Sequence, residues 1–163
     1  MMISLKHLNR RAGAVLVSLL LLLTLAVSAS AAAVKMTVGV RFWRENSGLE
    51  FDVIFITDAG EIFVTSGQPN GTFTLELPVK QISSMNVTGS LTGIRIGEVN
   101  YEGTLSGELS NGTAVLTLKN LPASVLTGSD SNQALAVTCS IKMDTVLLGD
   151  ITTSARMSVW VER

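Results

Sequence analysis

The chain has 163 residues, with 12 basic and 13 acidic side chains, and 47% of its residues are hydrophobic. This near-neutral balance, without a basic cluster, excludes the charged footprint of a nucleic-acid-binding protein. The single cysteine, Cys139, excludes an intrachain disulfide.

The N-terminal segment has the pattern of a secretory signal. Lys6, Arg10 and Arg11 precede an uncharged apolar run, and Ala29-Ser30-Ala31 follows it as a small-residue cleavage pattern. We therefore predict a signal peptide over residues 1–31, formed as a hydrophobic helix, and a single mature domain over residues 32–163. Two alternatives stay open: an uncleaved membrane anchor over 12–33, and a prepilin-type cut before the apolar run. In each case the rest of the chain is expected outside the cytoplasm.

The mature chain is acidic and lacks histidine. Three of the 12 basic residues leave with the signal, so nine positive charges face 13 negative ones, a net charge of −4. The only histidine, His7, leaves as well, which excludes the usual general base and the commonest metal ligand. Asp130 and Asn132 form a D-x-N pair with too few ligands for calcium. We expect no catalytic residues, no cofactor and no metal site.

Alternating apolar and polar residues predict strands along the mature chain. The first candidate, 34–43, is followed by 49–56 and, after a turn at 57–60, by 61–65. Later candidates are 72–77, 92–101, 103–109, 113–119, 133–143 and 151–161. About eight to ten short strands, punctuated by glycine, are typical of an all-β protein. We predict an antiparallel β-sandwich of immunoglobulin-like, jelly-roll or Greek-key type, with a Greek-key barrel as the alternative.

Two similar stretches, NGTFTLELP at 70–78 and NGTAVLTLKNLP at 111–122, are interpreted as β-hairpins. A two-residue type I′ turn at Asn111-Gly112 would pair Leu109 with Ala114 and Leu105 with Leu118. Around Asn70-Gly71 we expect a longer loop from Ser66, because Pro69 cannot donate to a strand ladder.

Three sequons begin at Asn70, Asn86 and Asn111, and each is a possible N-glycosylation site. Two of them fall at predicted hairpin tips, where a glycan could be accommodated.

The two tryptophans, Trp43 and Trp160, lie opposite in phase to their apolar neighbours. They are interpreted either as exposed contact residues or as packing on a second buried face.

Both ends of the mature chain have the pattern of strands without tails, and each could lie at a sheet edge. An edge strand can be completed by a neighbouring subunit. The segment that could be donated in this way carries Val34, Met36, Val38, Val40 and Phe42 on one face. Pairing of 34–43 within its own domain is the alternative.

These features favour an exported, non-catalytic structural or interaction protein of the cell surface or extracellular matrix. It could be a pilus-like filament or surface-layer subunit that assembles through strand edges. The expected partners are further copies of the chain or other surface proteins, with membrane contact only through an uncleaved signal. The alternative function is a secreted binding module for carbohydrate or a small apolar ligand.

If the signal is cleaved as predicted, the mature N-terminus will lie at Ala32 or within about two residues of it. N-terminal sequencing and intact mass of the native protein measure this directly. A retained Met1 would contradict cleavage, and a start between Ala12 and Ala14 would support the prepilin-type alternative.

Overall fold

The computed structural model describes residues 35–50, 56, 59–65, 67–84, 87–144 and 149–162. Strands dominate this part of the chain, and its only helical elements are two 3-10 turns, 123–125 and 131–133. The all-β, antiparallel class is therefore confirmed. Among the same residues, no helix has the length and apolar character needed to cross a membrane. The predicted signal segment and Val34 lie outside the described residues.

Within the described residues the fold consists of ten antiparallel strands, and all of them belong to one hydrogen-bonded sheet. Their bounds are β1 (Met36–Arg44), β2 (Gly60–Phe63), β3 (Thr72–Pro78), β4 (Ile82–Ser84), β5 (Val87–Ile96), β6 (Val99–Glu102), β7 (Thr104–Ser106), β8 (Val115–Pro122), β9 (Leu135–Met143) and β10 (Asp150–Val161).

The strands pair in an order that closes into a ring. The path runs β4-β5-β9-β10-β1-β2-β3-β8-β7, and β6 pairs with β5. Since only Gly103 separates β6 from β7, one continuous segment, 99–106, connects β8 back to β5. This closed path of pairing is typical of a barrel, the alternative given in the sequence analysis.

Gly103 lies at the point of closure. Its N–H donates to the carbonyl of Thr92 on β5 at 2.8 Å, and the next residue, Thr104, pairs with Thr117 of β8. A Cβ atom on Gly103 would lie 2.3 Å from Cδ1 of Leu116. The segment can therefore pass between β5 and β8 because position 103 has no side chain.

One face of the strands fills the interior with large apolar side chains. On β1 the side chains that point inward are those of Val38, Val40 and Phe42, in agreement with the predicted alternation. The largest fully buried side chains of the core come from β2, β3, β5, β8 and β10 and include Ile62, Phe73, Leu75, Leu77, Leu91, Ile94, Leu116, Leu118 and Met157.

Several predicted strands are confirmed within a few residues, namely those that became β1, β3, β8, β9 and β10. The predicted strand 92–101 was wrong as a single element. It spans the end of β5, a turn at Gly97-Glu98 and most of β6, and Gly97 has a φ of 56°. The short strand β4 was not predicted. Most of the predicted strand 49–56 lies outside the described residues.

The predicted register of the 111–112 hairpin was wrong by two residues. Leu105 pairs with Leu116 instead of Leu118, because the connection is a longer loop and not a two-residue turn. Glycines 107 and 112 have positive φ, whereas a type I′ turn would also require positive φ at Asn111. A shift of two preserves the face of each side chain, so the predicted apolar face survives.

We expect Gly103→Ala to lower the free energy of unfolding by roughly 1–3 kcal/mol, because the added methyl group overlaps Leu116. Denaturant unfolding of the mature protein would measure this. The matched control is Gly48→Ala, whose Cβ would lie 3.4 Å from Oγ of Ser131 in ordinary contact, with a change within about 0.5 kcal/mol. Equal effects of both substitutions would contradict the role of Gly103 in closure.

Candidate functional site

A second buried layer lies on the outer face of β1 and β10. Trp43 is 9% exposed there, and its indole Nε1–H donates to Oγ of Ser158 at 2.9 Å. The Ser158 hydroxyl donates in turn to the backbone carbonyl of Asp130 at 3.3 Å. The connection from β8 to β9, residues 123–134, thus covers this face. For Trp43 the packing alternative of the sequence analysis is confirmed.

Trp160 is only partly buried and lies over Gly39, its partner in the β1–β10 ladder. A Cβ on Gly39 would approach the indole ring to 2.1 Å, so the missing side chain makes room for the ring. The guanidinium of Arg41 lies 5.7 Å from the Trp160 ring and 6.0 Å from the Trp43 ring. Its Nε is 3.0 Å from Oε1 of Glu50. The Arg41 guanidinium therefore lies beside both indole rings and the Glu50 carboxylate.

Arg156 fixes the point at which β1 separates from β10. Its guanidinium donates to the backbone carbonyls of Ser131 at 2.8 Å, Ser47 at 2.5 Å and Arg44 at 3.4 Å. The ladder between β1 and β10 ends at Arg44 and Ala155, so β10 continues toward Asp150 without β1 beside it.

The two terminal strands lie side by side, and each has neighbouring strands on both sides along part of its length. β1 pairs with β10 and with β2, and β10 pairs with β9 as well as β1. The expectation that the donation segment lies at a sheet edge was therefore wrong. Its described residues are placed in their own barrel, with Val38, Val40 and Phe42 buried and Met36 partly buried. Donation of this segment to a neighbour stays a prediction.

The first half of β10, residues 150–154, has a partner on one side only among the described residues. It pairs with β9 from Asp150↔Lys142 onward. The backbone N–H of Glu162 donates to Thr37 on the β1 side, and the carbonyl of Val159 accepts from Thr127 and Gly128 on the β9 side. Because ladder partners alternate along a strand, the backbone groups of residues 150, 152 and 154 point away from β9. We call residues 150–154 the open edge.

The open edge carries few features that discourage pairing. Asp150 is its only charged residue, and it contains neither lysine nor proline. Ile151 shares the inward phase of Ala155 and Met157, yet it is 43% exposed. By contrast, β4, which pairs with β5 only, is preceded by Pro78 and the exposed Lys80. Proline and lysine are the residues that usually protect an edge strand.

Two of the three sequons can be located. Asn70 and Asn111 are exposed in turns, whereas Asn86 lies outside the described residues. At the second turn the Asn111 side-chain carbonyl accepts from the Thr113 backbone at 3.1 Å and hydroxyl at 2.7 Å. Its amide group donates to the Glu108 carboxylate at 3.0 Å. Glycosylation at these positions stays a prediction.

Cys139 is buried on β9 and is a free cysteine. Burial raises the pKa of its thiol to about 12. Within the described ranges, no group of three or more histidine, cysteine, aspartate or glutamate side chains is arranged to hold a metal ion.

No family model matches this chain, and neither a curated protein nor a solved structure matches it. The sequence analysis predicted neither the open edge nor the hydrogen bonds of Arg156 to backbone carbonyls. One signal was present: DITTS at 150–154 lacks the apolar alternation that continues through Ala155, Met157 and Val159.

We expect Ser158→Ala to lower the free energy of unfolding by roughly 1–3 kcal/mol, because the buried Trp43 indole N–H loses its acceptor. Denaturant unfolding, followed by tryptophan fluorescence, would measure the loss. The matched control is Ser154→Ala on the same face of β10, where the side chain is exposed and little change is expected. A Ser158→Ala protein as stable as the control would contradict a structural role for this hydrogen bond.

Proposed function

We propose that this protein is an exported, non-catalytic structural or interaction subunit of the cell surface or extracellular matrix, and that it assembles through a strand edge. The open edge, residues 150–154, is the observation that carries the proposal. An unpaired strand edge offers backbone donors and acceptors to another chain, and natural proteins normally protect such edges.

The export part of the proposal rests on the sequence. Basic residues, an apolar run and a small-residue end occur in the order expected of a secretory signal. The non-catalytic part rests on the chemistry that the mature chain contains. Its histidine-free composition lacks the usual general base near neutral pH, and its carboxylates follow no recognisable catalytic motif.

The barrel interior favours a structural subunit over the alternative of a ligand carrier. Side chains such as Phe73, Leu75 and Met157 are fully buried within the core and occupy its volume. A small apolar ligand held inside the barrel would have to displace them. A carbohydrate would have to bind the outer surface, where the partly buried indole of Trp160 is the aromatic candidate.

The proposal is tested on the native cells. We expect the protein in the cell-surface or extracellular fraction, and sizing with electron microscopy of the released material should show assemblies larger than one chain. A variant that lacks residues 1–31 is the control and should stay inside the cell. Recovery of the complete chain from the cytoplasm as a monomer would contradict the proposal.

A further inference from the structure

The sequence of the open edge is self-complementary when two copies pair as antiparallel strands. With Thr152 opposite Thr152 of a second copy, Asp150 lies opposite Ser154 and Ile151 opposite Thr153. No two like charges meet in this register, and threonine pairs are favourable across antiparallel strands. A register displaced by two residues along the strand would pair only three of the five residues, because both Asp150–Ser154 pairs would be lost.

The backbone N–H and C=O groups of the open edge point in the directions that this register requires. Residues 150, 152 and 154 direct their N–H and C=O groups away from β9, and these residues face one another when Thr152 lies on the two-fold axis. Each such pair exchanges two hydrogen bonds. The partly exposed Ile151 side chain, on the inner side of the sheet, would become covered by the added strand.

We infer that a second copy of this chain binds the open edge, so that two barrels form a two-fold dimer through antiparallel pairing of residues 150–154. This inference rests on the proposed function and names its partner. The contact uses the same surface on both copies and therefore closes at two subunits. Strand donation by residues 34–43 would instead require β1 to leave its ladders with β10 and β2.

The first test places a charge on the axis of the dimer. Thr152→Lys puts two ammonium groups opposite each other and should weaken self-association of the mature protein by more than about tenfold. The matched control is Thr37→Lys, another exposed threonine on the outer face of a strand, but one whose backbone has partners on both sides, Glu61 of β2 and the N–H of Glu162. Light scattering after size exclusion over a dilution series measures both, and circular dichroism checks that both fold.

The second test reads the register by crosslinking. In the inferred dimer the two Thr152 Cα atoms are about 5.5 Å apart, within the range that a disulfide spans. Thr152→Cys should therefore form a covalent dimer on mild oxidation. Ser154→Cys is the control, because its two copies would be about 14 Å apart. The native Cys139 is buried and is expected to remain unreacted in both variants.

The outcomes separate this inference from the proposed function. A mature chain that stays monomeric up to its solubility limit would overturn the two-fold dimer, and so would a Ser154→Cys variant that crosslinks as fast as Thr152→Cys. Assemblies that persist in Thr152→Lys but are lost when residues 32–43 are deleted would also overturn it and leave the proposed function standing. A cytoplasmic monomer would overturn both.

Discussion

The passage of residues 99–106 between β5 and β8 is the constraint on which the barrel depends. Every strand of a sheet has backbone N–H and C=O groups along both of its edges. An open sheet leaves two rows of these groups unpaired, one at each outer strand. Here the same segment pairs first with β5 and then with β8, and it changes partner at Gly103. The interior can be filled by one continuous apolar core because the sheet surrounds it.

The outer layer stabilises the outer face of β1 and β10. Trp43, Ser158 and the connection 123–134 form a hydrogen-bonded chain, and Arg156 ties three backbone carbonyls together. Hydrogen bonds from a charged donor to backbone carbonyls are stronger than neutral ones. This layer holds the second half of β10 and ends where β1 turns away. The open edge is therefore continuous with the half of β10 that these hydrogen bonds stabilise.

The local part of this architecture could be predicted from the sequence, and the non-local part could not. Alternation identified the inward phase of β1 and the ends of β3, β9 and β10, because the period of two is a property of each strand alone. Closure depends on which strands pair, and alternation carries no information about the partner. The turn at Gly97 was missed although the apolar residues change phase there, from Ile94 and Ile96 to Val99 and Tyr101.

The candidate site was predictable to a smaller degree. The phase of Trp43 and Trp160 indicated an unusual outer face, but the covering connection 123–134 could not be foreseen from local pattern. The expectation of edge positions was wrong for β1 and for the second half of β10 because it treated each terminus separately. In the structure the two strands are each other's neighbours, as Val38 opposite Val161 illustrates.

That adjacency has a consequence for how the barrel is oriented on a support. Lys35 and Glu162 lie at the same end of the β1–β10 ladder, since Glu162 N–H reaches the carbonyl of Thr37 at 3.1 Å. Asp150 lies at the other end of β10, more than about 30 Å away for a strand of this length. A polypeptide that tethers the barrel by its N-terminal side would hold residues 150–154 at the end of β10 that is farthest from the tether.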